Sequence, residues 1–271
     1  MIALEGLTVL DGAVEGEMAV DYVFLHGLNG SPKDTWTDET KDGTGFFWPR
    51  QVLADIPGCR VMTFGYNAAF ERALVKNTTT INAIAQTFVN RLIDKRKGEH
   101  ALYNIHADRH TGLKSRKIDE QNAIYDSIAG LVFMGTPHAG SHVTDAARVK
   151  MLKALARATF KKAPENLIRA LSAHSNELQD LSASFERTTI FTQHMIEICT
   201  YFETKTTKFV VPRAMTSLHY LNEREEGIAK EHTKMAKFSD AQDDMYQSIR
   251  QRLADMGTDG LNAKTARQGP L

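Results

Sequence analysis

Two side chains in the last third of the chain are of the types that acid–base chemistry needs. Glu203 closes the apolar run Met195–Phe202, and His232 lies in the polar loop beyond the next apolar run, Phe209–Pro212. A neutral imidazole near pH 7 can take a proton from a hydroxyl. A carboxylate bonded to its other nitrogen fixes the tautomer and stabilises the cation that forms. A further candidate lies near the start, where Tyr22-Val23-Phe24-Leu25 runs into His26-Gly27-Leu28-Asn29-Gly30. An apolar strand that stops at a tight polar turn marks the place where ligands bind in parallel sheets. Gly27 lets the backbone turn so that an amide, that of Leu28, faces a cleft in which negative charge develops. Each feature has an ordinary reading beside it. The chain has ten histidines, so a solvated one in a charged loop is cheap, and a strand-to-loop turn needs no chemistry to exist.

These residues need elements to hold them. Residues 6–10 and 18–25 are predicted strands with Asp11-Gly12 as a turn signal between them. Phe46-Phe47-Trp48-Pro49 introduces a short helix to Asp55, Pro57-Gly58 ends it, and Cys59–Tyr66 is the next strand. Ile81, Ile84, Ala85, Phe88, Leu92 and Ile93 recur at helical spacing, so residues 80–95 are a predicted helix. Ile128–Gly135 is a strand of large apolar residues, followed by turn formers from Thr136 to Ser141. Strands alternating with helices predict a parallel sheet with crossover helices. Met195–Phe202 and Phe209–Pro212 are the last two predicted strands. Met245, Ile249, Leu253 and Met256 mark a final helix, with Gly257 as its stop and residues 258–271 as a polar tail.

Composition narrows the function classes. Lys+Arg and Asp+Glu each total 33, so no global field draws the chain to nucleic acid or to an anionic membrane. With 42% hydrophobic and 24% charged residues the chain has the make-up of an ordinary globular domain. Nothing reaches 18 consecutive apolar residues, and Glu5, Asp11, Glu15 and Glu17 replace the basic start of a secretory signal, so the expectation is a cytoplasmic or organelle-surface protein without a transmembrane segment. Cys59 and Cys199 sit inside apolar runs and read as small buried hydrophobes. His106 and His110 are four apart, but no third ligand stands near them, so neither a metal nor a cofactor is expected.

The motifs gain meaning in combination. Val23-Phe24-Leu25-His26-Gly27-Leu28-Asn29-Gly30, then Trp36-Thr37, then Val61–Tyr66, then Gly130–Ser141 with its Met-Gly-Thr-Pro-His-Ala-Gly-Ser run, resemble the lipase-like α/β-hydrolases of the serine-active-site-containing protein family. The chain is also similar to the hydrolase domain found in front of nucleotide-binding and ankyrin regions in fungal proteins. The resemblance spans residues 5–240. It implies an α/β-hydrolase fold over residues 1–257, a mostly parallel sheet flanked by helices, with residues 143–185 as a helical lid-like insert. Two surface helices packed on a sheet are the plainer reading of that insert. The resemblance also implies a carboxylic-ester hydrolase acting on an acyl ester or lipid. In it Phe202-Glu203-Thr204 carries the acid and Glu231-His232 the base, with Glu231 where the family more often has Asp. His26, Gly27 and Leu28 would then form the oxyanion and substrate-binding turn.

One part of that machinery is missing from the sequence. No Gly-x-Ser-x-Gly occurs, and by element order it belongs between residues 95 and 128. There only Ala101–Ile105 resembles a strand, interrupted by Asn104, where a central parallel strand needs a continuous apolar run. Asp108 as a carboxylate nucleophile lacks the flanking glycines a tight turn requires, and Ser115 lies in a Lys-Ser-Arg-Lys stretch that reads as an exposed helix start. Three readings stay open: a non-catalytic pseudohydrolase serving as a lipid- or protein-binding signalling module, a segment altered by a shifted reading frame, or the Asp108 nucleophile.

Overall fold

The most completely buried strand among the described residues follows the Pro57-Gly58 turn signal. In the computed structural model every residue of Cys59–Gly65 (β5) is buried. The structure describes residues 1–10, 20–27, 30–39, 45–66, 81–99, 113–136, 138, 185, 196–205, 211, 213–218, 220 and 222–268. β5 is the centre of a three-stranded sheet: β1 (Gly6–Leu10) pairs with it antiparallel and β2 (Val20–Leu25) parallel. Residues 6–10 and 20–25 are therefore not partners of one another across the Asp11-Gly12 turn signal. Arg60 breaks the apolar run of β5. Its Nε lies 2.7 Å from Oδ1 of Asp21, the residue opposite it on β2, and Arg96 reaches the other carboxylate oxygen at 3.0 Å.

Two residues each from Thr37–Asp38 (β3) and Phe46–Phe47 (β4) form a separate antiparallel pair, which leads directly into α1 (Trp48–Asp55). Pro49 stands at the start of that helix, where its missing N–H costs nothing. α2 (Ile81–Glu99) and α3 (Leu113–Asp126) follow. A second three-stranded sheet is wholly parallel: β6 (Gly130–Met134), β7 (Glu197–Glu203) and β8 (Glu223–Ile228), in that spatial order. A short helix, α4 (Arg213–Thr216), connects the last two. The final strand is thus Glu223–Ile228 rather than Phe209–Pro212, of which only Val211 lies among the described residues, outside any strand. β8 reads Glu-Arg-Glu-Glu-Gly-Ile, and such charge on an edge strand discourages pairing with another chain.

The long helix α5 (Asp244–Gln268) brings the two larger sheets together. From β2, the Tyr22 hydroxyl donates to the Leu253 carbonyl at 2.7 Å. A side-chain carbon on Gly257 would lie 2.5 Å from that hydroxyl oxygen, and one on Gly260 would lie 2.4 Å from Ala129 Cβ just before β6. These glycines admit neighbouring strands to the helix surface. Hence the helix does not stop at Gly257 but continues to Gln268. On its first turns Tyr246 packs with Trp48, Phe46 and Phe238, and Trp48 meets Phe24 and Trp36 edge-on at 4.9 and 5.6 Å. This aromatic cluster is the heart of the core. Cys59 and Cys199 are buried free thiols, as their apolar settings suggest.

The expected α/β-hydrolase fold, one mostly parallel sheet flanked by helices, is corrected by this topology. The described residues form three separate sheets, and two of their five strand pairings are antiparallel. β2 and β6 each end a sheet with an unpaired edge among the described residues. Joining them needs an apolar strand able to bond to both, and the sequence between α2 and α3 offers only Ala101–Ile105, which lies outside the described residues. The insert at residues 143–185 falls outside them too, except for Phe185.

Candidate functional site

Glu203 is the last residue of β7, so it stands at the carboxyl end of a parallel strand, where ligand sites form in such sheets. Its side chain has no exposure to solvent. The Val211 backbone N–H donates to Oε1, and the His232 backbone amide also addresses the carboxylate. Burial pushes the Glu203 carboxyl above its ordinary range, and these two amides pull it partly back. Its Oε2 has no hydrogen-bond partner among the described residues.

His232 opens a single turn of 3₁₀ helix just beyond β8. β8 pairs with β7 so that Ile228 lies opposite Glu203, which sets the loop carrying His232 beside the carboxylate. Nδ1 of His232 lies 3.7 Å from Glu203 Oε1, within ion-pair distance, and its side chain is 21% exposed. The imidazole therefore faces the carboxylate on one side while part of it stays open to solvent. Burial lowers its pKa, which keeps it neutral and able to accept a proton at pH 7. A buried carboxyl group and a neutral, partly accessible imidazole thus stand 3.7 Å apart, close enough to feel each other's charge but beyond hydrogen-bond distance.

A glycine just beyond β6 lies close to this pair. Gly135 follows Met134 with φ of +62°, and its N–H donates to the Tyr201 carbonyl of β7 at 2.8 Å. In the sequence Gly135 is only the end of a strand. The signal available was a glycine at the carboxyl end of a parallel strand, the same cue that drew attention to Gly27.

His26 and Gly27 stand at the end of β2, in the other three-stranded sheet. The Tyr66 N–H donates to His26 Nε2 at 3.2 Å, which leaves the ring proton on Nδ1, 3.0 Å from the Gly27 carbonyl. The Tyr66 hydroxyl donates to the His26 carbonyl at 2.7 Å, and the two rings stack with centroids 4.3 Å apart. Both nitrogens of this buried imidazole are thereby committed to backbone groups, and burial lowers its pKa. Gly27 is exposed and its carbonyl also accepts from the Gly30 N–H, closing a tight turn. Leu28 lies outside the described residues. So the structure brings Glu203 and His232 together, while the partners of His26 all belong to the β2 and β5 ends.

Ser115 lies in α3, and Asp108, His106 and His110 lie outside the described residues. Among the described residues no group of three His, Cys, Asp or Glu side chains could hold a metal ion, and no helix is long and apolar enough to cross a membrane.

Comparison with known proteins adds one likeness. Over 151 residues the chain is 26% identical to protein SERAC1 of Bos taurus, a match that takes in 46% of this chain and 22% of that protein. The chain thus spans under a quarter of that relative's length. No family model matches the chain. No solved structure matches it either.

Proposed function

We propose that this protein is a hydrolase acting on an acyl ester, with His232 as general base and Glu203 as the carboxylate that orients it and stabilises its cation. The observation that carries the reading is the 3.7 Å approach of His232 Nδ1 to the buried Glu203 carboxylate at the carboxyl ends of parallel strands. The likeness to protein SERAC1 and the motifs resembling the serine-active-site-containing family support it. In this reading the turn at His26-Gly27-Leu28 supplies a backbone amide to the developing oxyanion, and Tyr66 braces the turn through its bonds to His26. A water oxygen bonds to the carbonyl carbon as His232 takes its proton; the bond from that carbon to the alkoxy oxygen then breaks and the same proton passes to the leaving alkoxide, giving acid and alcohol.

A second reading has its own observation. The chain contains no Gly-x-Ser-x-Gly, and a buried acid–base pair retained without a nucleophile suits a module that binds a lipid or a protein without turning it over. One experiment separates the two. The purified protein is given 4-nitrophenyl butyrate and, separately, a fluorophosphonate probe read by intact mass. Ester turnover that His232→Ala abolishes supports the hydrolase, and a covalent adduct locates its nucleophile. No turnover and no adduct, from a protein that still gives a cooperative unfolding transition, supports the binding module.

A further inference from the structure

The His232 ring has a bare stretch of backbone beside it, at Gly135. A side-chain carbon added at Gly135 would lie 3.1 Å from His232 Nδ1 and 3.2 Å from Cε1, closer than ordinary van der Waals contact. The same carbon would meet Met235 Sδ at 2.9 Å, and the buried Met235 side chain would have to shift to admit it. Nδ1, one of the two ring atoms nearest Gly135, is also the nitrogen that lies 3.7 Å from the Glu203 carboxylate. Gly135 is itself fixed: its N–H donates at 2.8 Å to Tyr201, two residues before Glu203 on β7. Its φ of +62° is a conformation side-chain-bearing residues adopt at a cost, so strand end, glycine and ring form one rigid frame.

We propose that Gly135 is the positioning residue of His232, the floor on which the Nδ1–Cε1 edge rests so that Nδ1 stays aimed at the Glu203 carboxylate. The inference rests on the hydrolase reading for its consequence in catalysis, though the contact it asserts does not. A methyl at residue 135 fills the space under the ring, so the imidazole must tilt or lift towards solvent. Catalysis by a positioned base is sensitive to such a displacement, and a shift of about 1 Å costs on the order of a hundredfold in rate.

The test uses the intact chain and nuclear magnetic resonance of His232. In the unmodified protein a through-space cross-peak between Gly135 Hα and His232 Hε1 is expected, and its absence overturns the proposal without any variant. Two substitutions then separate the causes. Gly135→Ala adds the methyl and backbone strain together, whereas Gly135→Asn tolerates a positive φ but still places a carbon beneath the ring. Both are expected to move the His232 titration upward towards that of a solvated imidazole and to lower ester turnover about tenfold to a hundredfold, with the pH–rate midpoint moving in step. A His232 titration unchanged in both variants overturns the positioning role. The hydrolase reading fails separately: if the unmodified protein turns over no ester while Gly135→Asn still shifts the His232 titration, the positioning stands and the reaction does not.

Discussion

Asp21→Asn is the substitution whose effect the structure fixes most closely. The carboxylate of Asp21 is 7% exposed and lies between two guanidinium groups: Arg60, itself 3% exposed, at 2.7 and 3.0 Å, and Arg96 at 3.0 Å. Arg96 carries the link onward to the Ser127 hydroxyl at 2.5 Å, just before β6. Neutralising one member of a buried ion pair leaves the other charge in a low-dielectric setting, and such losses run to about 3–5 kcal/mol. Asn keeps one acceptor but no charge, so the lower part of that range, about 3 kcal/mol, is the expectation. Set against a total stability of about 5–15 kcal/mol, that is a large share. Urea unfolding followed by far-ultraviolet circular dichroism measures it, as a fall in midpoint with the slope preserved. Replacing Asp21 and Arg60 together by apolar residues of similar volume should cost less than Asp21→Asn alone, because the buried Arg60 charge then leaves with its partner. A loss below about 1 kcal/mol for Asp21→Asn refutes the argument that this carboxylate compensates a buried charge.

Acid should weaken the fold through its buried imidazoles. His26 and His232 are pushed down by burial and His138 is pushed down to about 4, so in each case the unfolded chain takes up a proton before the folded one. Stability is then complete above about pH 6.5 and falls as the pH drops towards 4, with His138 contributing on the order of 2–3 kcal/mol. Glu203, whose carboxyl is raised, works in the opposite sense at the low end of that window. Denaturant midpoints for the unmodified protein and His138→Gln check this, and an acid limb of unchanged steepness in the variant contradicts it. Gly65→Ala should also destabilise: the new carbon would fall 2.3 Å from the Leu4 carbonyl oxygen, which is backbone and cannot swing aside. A cost of about 1–3 kcal/mol follows, read as a melting point several degrees lower, and an unchanged melting point counts against the close approach of residues 4 and 65.

What the sequence revealed depended on how local the deciding physics is. Cys59–Gly65 and Glu197–Glu203 were legible because each holds a cluster of apolar residues, the first set off by Pro57-Gly58, and burial of such runs needs no knowledge of their neighbours. β8 was missed for the converse reason. Glu223-Arg224-Glu225-Glu226 has no apolar pattern and becomes a strand only through its pairing with β7, where the Thr200 hydroxyl donates to Glu223 at 2.6 Å. Gly257 was misread as a stop because a glycine that ends a helix and one that admits a neighbouring strand look alike in one dimension. Only the position of Tyr22 tells them apart. Among the described residues no strand joins β2 to β6, and the sequence of the intervening segment shows no continuous apolar run. Residue type and order singled out Glu203 and His232, which the structure places 3.7 Å apart, while the proximity of Gly135 to the ring is a contact across chain-distant elements that the sequence does not display.

Whether Glu203 and His232 work as a unit is measured directly by ester turnover of His232→Ala, Glu203→Gln and the double variant against the unmodified protein. Residues that act together are strongly non-additive, so the double variant should be no slower than His232→Ala alone. Glu203→Gln should fall short of that loss by tenfold or less, a margin on the order of 1 kcal/mol. Turnover that survives His232→Ala, or losses that simply multiply in the double variant, contradicts a coupled acid–base pair.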